Sequence, residues 1–456
     1  MSRSPTDRSS WTRRAGFILA AVGSAVGLGN VWRFPFQAGQ EGGAVFVLLY
    51  LCFVLLIGVP AMLVEFTVGR RTGRGPVGAL AEFGGGAWRY LGGLFILIGF
   101  LILSYYSVVA GWVLRYVVGS VTGGYAGQSE TYFLDIATGF DALAFHAIFM
   151  ALTVAIVALG VRRGIELAVT VMVPAVVFVV LALVVYAWTL PDAGVAYEYY
   201  LSPDFSLLAS DWRSIVPAAA GQAFFSLSIG MGVMITFASY LDEERNLLVD
   251  TGIIVAIDTA VAFLTGLFVF PILFTAGVGP ADPGPGAIFV ALAGAFADIP
   301  AGSVVGVVFF GMFAIAALSS AISIMEVVVS FGIDEFGAVR RRTAAVTGVA
   351  MFLLGTPVAL LSSQRQPIFV TLYDTLAAQI LLVSGGIVLM ILVAWIGADR
   401  AMAELRRGIH SPGILPRVWI WLVRIPVIVV LLVTLALAVG DYWSFLTGDF
   451  ADFLGL

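Results

Sequence analysis

The sequence predicts an all-α polytopic membrane protein, and three observations carry that prediction. Of 456 residues, 61% are hydrophobic and 11% charged, against about 25% charged in an ordinary soluble domain. Apolar runs of about 20 residues recur along the chain, each long enough to cross a hydrocarbon core of about 30 Å. Arginines and carboxylates gather in alternate loops between those runs. Such a chain has too little polar surface to be solvated, which excludes a soluble enzyme, a nucleic-acid binder and a disordered scaffold.

Taken in order, residues 1–14 are polar and Arg-bearing, with no small-residue cleavage site after them, and read as a retained cytoplasmic tail. Spans near 15–38 and 44–68 follow and end at Arg70, Arg71 and Arg74. The span 90–120 leads to the acidic loop of Glu130, Asp135 and Asp141. The span 142–160 returns to Arg162 and Arg163, and 165–190 leads out to Asp192, Glu198, Asp204 and Asp211. Next come 214–240, ending near Arg245, and 247–277, ending before Asp282. The stretch 281–300 is too short and Pro-broken to span and reads as an extracellular cap. The spans 302–333, 343–362, 367–396 and 418–440 complete eleven, separated by Arg340–Arg342 and by Arg400, Arg406, Arg407 and Arg417. By the positive-inside rule the arginine side is cytoplasmic. A multi-pass protein of the plasma (cytoplasmic) membrane is expected, with its N-terminus inside and residues 441–456 outside. Cys52 is the single cysteine and lies in an apolar run, and His146 and His410 fall in different segments. Neither supplies the clustered ligands that a membrane metalloenzyme needs, so no enzyme is expected.

Two spans contain what a helix in lipid should avoid. The first carries Gly27-Leu28-Gly29 beside Ser24 and Asn30, and the sixth carries Gly230-Met231-Gly232 beside Gln222, Ser226 and Ser228. Each mid-helix glycine costs about 1 kcal/mol relative to alanine. Broken backbone at membrane depth survives only where protein or a cavity satisfies the freed N–H and C=O groups. Close packing through small residues would account for either span alone. The two breaks are five spans apart, however, as expected of two five-helix repeats of inverted topology, 15–190 and 214–396, with one extra helix.

The segment from Trp11 to Pro35, with Val26-Gly27-Leu28-Gly29-Asn30 and Arg33-Phe34-Pro35, resembles the first helix of the neurotransmitter:sodium symporter family. The likeness continues through Gly58-Val59-Pro60, Glu65, Tyr105-Tyr106, Gly221–Gly232 and Ser319-Ser320, in family order. It implies a LeuT-type fold and a sodium-coupled amino-acid symporter, with two sodium ions, an amino-acid substrate and a lipid bilayer as partners. The first sodium site maps onto Ala25, Asn30, Ser226 and Asp258. The second maps onto Gly23, Val26, Ala316, Ser319 and Ser320. Asp258 stands where asparagine is commoner. Since chloride-dependent relatives bind the anion near the positions of Tyr50, Gln222 and Ser226, a built-in carboxylate implies chloride independence. The alternative is a protonatable Asp258 coupled to H⁺.

The same resemblance implies a substrate pocket. Amides of Leu28 and Gly29 and the Tyr106 hydroxyl would hold a carboxylate, and carbonyls of Ala25, Phe225 and Ser226 would accept from an ammonium. Ser24, Ile102, Ser228, Met231, Ser320 and Ile324 would surround the side chain. Gly27 occupies the position where transporters of biogenic amines carry aspartate, which implies a zwitterion. Met231 in place of phenylalanine implies room for a large apolar or aromatic group. Arg33 and Asp374 would form an outer ion pair with Phe225 as lid. Arg8, Trp11, Ser239, Tyr240 and Asp334 correspond to an inner gate. Glu65 would support the unwound part of helix six, and Gly164 and Pro174 are spaced as in relatives whose fifth helix unwinds. Rival readings are a proton-coupled carrier of another small solute and a sodium-gated channel or sensor on the same fold.

Overall fold

In a bilayer the backbone finds no partners except its own, so apolar runs fold as helices. The computed structural model describes residues 11–242, 244–279, 287–361 and 368–455, and among these every regular element is helical. Nine of the described helices are long and apolar enough to cross a membrane unbroken: Ala44–Thr72, Gly86–Thr122, Phe140–Ala158, Val161–Ala187, Leu247–Thr275, Gly302–Phe336, Arg340–Leu361, Ile368–Ile396 and Leu415–Leu454. The pair Arg14–Ala25 and Gly29–Gln40, bent by 47°, supplies the first span. The helices Phe205–Ser226 and Val233–Ala238, separated by 227–232, occupy the place of the expected sixth span. The interrupted spans are thus the two whose sequences carry the spaced pairs Gly27-Leu28-Gly29 and Gly230-Met231-Gly232.

Spans three and eight lie against each other and are flanked by four and nine. The N-terminal half of span one packs on spans five, seven and eight, and both halves of span six pack on span two. Spans three and eight, and four and nine, each five positions apart in the chain, thus face one another, and the breaks of spans one and six meet at the centre.

Some boundaries differ from expectation. The last span does not stop near 440: helix continues to Thr447, and a further helix covers Asp449–Leu454. Aromatic contacts of Phe450 with Phe445 and Phe369 hold this end, so most of the expected tail 441–456 is helical. Of the expected cap 281–300, residues 281–286 lie outside the described residues. The remainder contains the helix Ala287–Asp298, whose Phe289 stacks on Phe133 and Tyr116. Residues 1–10 of the expected tail also lie outside them.

Candidate functional site

The site begins with the two breaks. At Val26 the backbone turns extended (φ −73°, ψ 100°), which ends the first half-helix. In the sixth span Gly230 and Gly232 take φ of 90° and 74°, open to glycine without a Cβ clash. Ser228 takes φ 53° without being glycine, a strained choice. Its hydroxyl donates to the carbonyl of Ser24 at 2.9 Å and so fastens one break to the other. The half-helices Arg14–Ala25 and Phe205–Ser226 end here, turning carbonyls inward, while Gly29–Gln40 begins here with its N–H groups inward.

Between the breaks lies a cavity of about 30 Å³. Its walls are Ser24, Ala25, Gly27, Leu28, Gly29, Ile102, Tyr106, Phe225, Ser228, Met231, Ser320 and Ile324. Every residue expected at the substrate is in that wall except Ser226, which faces Asp258 instead. At Gly27 a side chain would enter the space held by Ser320 and Tyr106. A Cβ on it would collide with the Ser320 hydroxyl and lie 3.2 Å from the Tyr106 oxygen. The volume is far below the roughly 150 Å³ of a cavity that takes up benzene, so an amino acid enters only if the walls move apart.

Two clusters of oxygen flank the cavity. Asp258 is fully buried and accepts from Asn30 Nδ2 at 2.8 Å and from the Ser226 hydroxyl at 2.9 Å. Asn30 Oδ1 beside it is buried with no hydrogen-bond donor. An unpaired carbonyl oxygen next to a buried carboxylate suits a small cation, so Asn30, Ser226 and Asp258 fit a sodium ion, with Ala25 in the adjoining wall. Tyr50 reaches Ser226 at 3.4 Å, and Gln222 donates to the Gly29 carbonyl at 2.9 Å. On the other flank the Ser320 hydroxyl lies 3.3, 3.0 and 3.4 Å from the carbonyls of Gly23, Ser24 and Val26. The Ser319 hydroxyl donates to Ala316 at 2.9 Å, and a Cβ on Gly23 would touch Ser319 at 3.4 Å. Gly23, Val26, Ala316, Ser319 and Ser320 are thus brought together.

The expected outer ion pair is not formed in this structure. Arg33 lies over the Phe225 ring at 4.6 Å, while Asp374 accepts from Tyr105 at 2.8 Å and from Gln379 at 3.3 Å. The reason is competition: a nearer hydroxyl satisfies the carboxylate, and the ring face attracts the guanidinium. Both groups line a cavity of about 270 Å³ above Phe225.

At the opposite end Trp11 donates to the Phe237 carbonyl at 3.1 Å and Tyr240 to Glu326 at 3.1 Å. Ser239 donates to the Thr236 carbonyl, and Asp334 accepts from the Gly75 amide at 3.3 Å. Arg8 lies outside the described residues. Glu65 is fully buried and accepts from the amides of Gly230 at 2.7 Å and Ile235 at 3.3 Å. Gly164 sits in the wide π turn Val161–Glu166, and Pro174 lies within Leu167–Ala187.

Several polar residues of this end were not singled out from sequence. Glu166 accepts from the Thr12 amide at 3.1 Å, and Glu326 pairs with Arg340 at 2.6 Å. Asp250 pairs with both Arg14 and Arg245, and Arg70 with Glu404. A signal existed for Glu326 and Asp250, since each is a carboxylate inside an apolar run. Arginines read only as markers of sidedness concealed the rest.

Comparison with known proteins gives consistent results. The family model described as "Sodium:neurotransmitter symporter family" matches residues 8–133 and 130–446. The chain is 33% identical over 427 residues to an uncharacterised sodium-dependent transporter, YhdH, of Bacillus subtilis, covering 91% of this chain and 94% of that one. It is 31% identical to the sodium-dependent dopamine transporter of Bos taurus, over 86% of this chain and 64% of that one. Among solved structures, that of MhsT in complex with L-phenylalanine superposes with a TM-score of 0.86 at 37% identity, over 94% of this chain and 100% of that one.

Proposed function

Since the chain belongs to the sodium:neurotransmitter symporter family and is a sodium-dependent membrane transporter, we propose that it imports a zwitterionic amino acid with a large apolar or aromatic side chain. Two sodium ions drive the import, and chloride is not required. The observation that carries this reading is the cavity between the two breaks. One wall offers the N-terminus of Gly29–Gln40 and the Tyr106 hydroxyl to a carboxylate. The facing wall offers carbonyl ends to an ammonium. Gly27 leaves no side-chain charge to stand in for the substrate's own carboxylate. Ile102, Met231 and Ile324 supply the apolar remainder, and flexible Met231 adapts to a large group. That MhsT was solved with L-phenylalanine supports the class.

Ion roles follow from the oxygen clusters. The first ion binds at Asn30, Ser226, Asp258 and the Ala25 carbonyl, with Asp258 supplying the negative charge that chloride supplies in other relatives. The second binds among the carbonyls of Gly23, Val26 and Ala316 and the hydroxyls of Ser319 and Ser320. In this reading the arginine-rich end, which carries Trp11, faces the cytoplasm of a plasma-membrane protein. Ions order the breaks, and substrate draws Phe225 and the Arg33–Asp374 pair closed. The half-helix Arg14–Ala25 then swings away to release the load inward. Each charge moved through 100 mV contributes about 2.3 kcal/mol.

The test is uptake of labelled tryptophan, phenylalanine, leucine, alanine and glycine into proteoliposomes. An inward Na⁺ gradient is compared with K⁺ and H⁺ gradients, in chloride and in gluconate. Tryptophan, phenylalanine or leucine should accumulate with Na⁺ in either anion. Absence of Na⁺-driven uptake of all five overturns the amino-acid reading, and uptake driven by H⁺ alone makes Asp258 a proton carrier.

A further inference from the structure

The end of the bundle that carries Trp11 holds a polar assembly that the transport reading leaves unused. Arg70, near the end of span two, and Glu404, in the helix Ala398–Arg406 after span ten, pair at 2.7 Å with both side chains fully buried. A buried guanidinium is costly unless its donors find partners. Here Arg70 Nη2 donates to the backbone carbonyl of Glu404 at 2.6 Å, and Nη1 donates to the carbonyl of Arg245. Three elements therefore meet on one side chain: span two, the helix after span ten, and the loop between spans six and seven.

Arg245, so held, carries the tie onward. Its guanidinium meets Asp250 Oδ2 at 3.0 and 2.5 Å, while Arg14 meets Oδ1 at 3.1 and 2.9 Å. Asp250 is only 1% exposed, so these arginines are what compensates its charge. Arg14 is the first residue of the half-helix Arg14–Ala25. The backbones are also close-fitted: a Cβ on Gly408, just past Ala398–Arg406, would lie 2.6 Å from the Arg245 carbonyl.

We propose that Arg70 is a positioning residue for transport. By fixing the Arg245 carbonyl against Glu404 it sets where Asp250 stands, and so holds the half-helix Arg14–Ala25 docked. The helix Ala398–Arg406 is then the anchor of an inner latch. The inference rests on the transport reading above, because only there does this half-helix have to move.

Val169 of span five is fully buried beneath this half-helix, 3.3 Å from where a Cβ on Gly23 would lie. In a Cys52→Ala background, Val169→Cys is reacted with a water-soluble maleimide in nanodiscs, without substrate. Glu404→Gln should speed the reaction at least about fivefold, a shift of about 1 kcal/mol in docking, and an unchanged rate overturns the proposal. Glu404→Gln strands a buried guanidinium, so the pair R70M/E404M is measured beside it. That variant removes both buried charges at similar volume, leaves to solvent the part-exposed Arg407 and Arg71 that also meet Glu404 at 3.3 and 3.9 Å, and releases the Arg245 carbonyl, so it should react faster too. If it melts like the parent and reacts like the parent, the latch is wrong. Sodium separates the two readings. Parent rates slowed by Na⁺ with unchanged variants sink the latch alone, whereas parent rates indifferent to Na⁺ count against the ion sites on which it rests.

Discussion

Asp258 and Glu65 are both fully buried carboxylates beside a broken helix, yet their surroundings assign them different work. Glu65 accepts from two backbone amides of the sixth span, Gly230 and Ile235. Its donors are the break and the first turn of the helix after it, which a neutral polar side chain would not hold as firmly. Asp258 meets only side-chain donors, Asn30 and Ser226, and beside it Asn30 Oδ1 has no donor at all. One carboxylate is consumed by the fold, and the other has coordination to spare. The identity of the donors, more than the depth of burial, separates a structural charge from one placed for a ligand.

That contrast can be broken at several points. The largest effect is expected from Asp258→Ala, which should lower Na⁺-driven uptake about a hundredfold, or ~3 kcal/mol, while the melting temperature in detergent changes little. Equal losses of stability and uptake would erase the distinction. Glu65→Gln should do the reverse. It turns a donor toward buried amides at a cost of about 1–3 kcal/mol. Thermal melting should show a clear drop, and uptake per folded molecule should fall about tenfold or less. Asp258→Asn sharpens the comparison further: with the fixed charge gone, chloride should stimulate residual uptake about fivefold over gluconate. A weaker effect is expected at the wall. Met231→Phe should cut tryptophan transport about tenfold relative to leucine by overfilling the cavity, read from competition for labelled leucine. The smallest belongs to Tyr105→Phe, which frees Asp374 to meet Arg33 and should change apparent substrate affinity about threefold.

What was legible in the sequence was whatever broke a membrane rule. Glycine pairs in the first and sixth spans and a carboxylate at Asp258 are costly in lipid, so each marks the centre in the sequence itself. Apolar wall residues such as Ile102 and Ile324 became legible only through the family resemblance, because periodicity cannot tell a cavity wall from ordinary core. Ion pairs at the end that carries Trp11 were illegible for another reason. Arg14 and Asp250 lie 236 positions apart, and Arg70 and Glu404 lie 334 apart. Counting arginines by side predicts where they lie and says nothing of which carboxylate each meets. The Arg33–Asp374 pair was anticipated yet is not formed, since a sequence specifies partners for a whole cycle and a structure holds one stage of it.

The Ser320 hydroxyl has one proton and lies within 3.4 Å of three carbonyl oxygens. That corner of the first break is short of positive charge by construction. If the proposed second sodium ion makes up the deficit, the ion is mortar as well as fuel: heat resistance will track the salt in the buffer. Each tenfold rise in Na⁺ above its dissociation constant then adds about 1.4 kcal/mol to the folded state. The melting temperature becomes a sodium gauge that needs no substrate, no membrane and no gradient to be read.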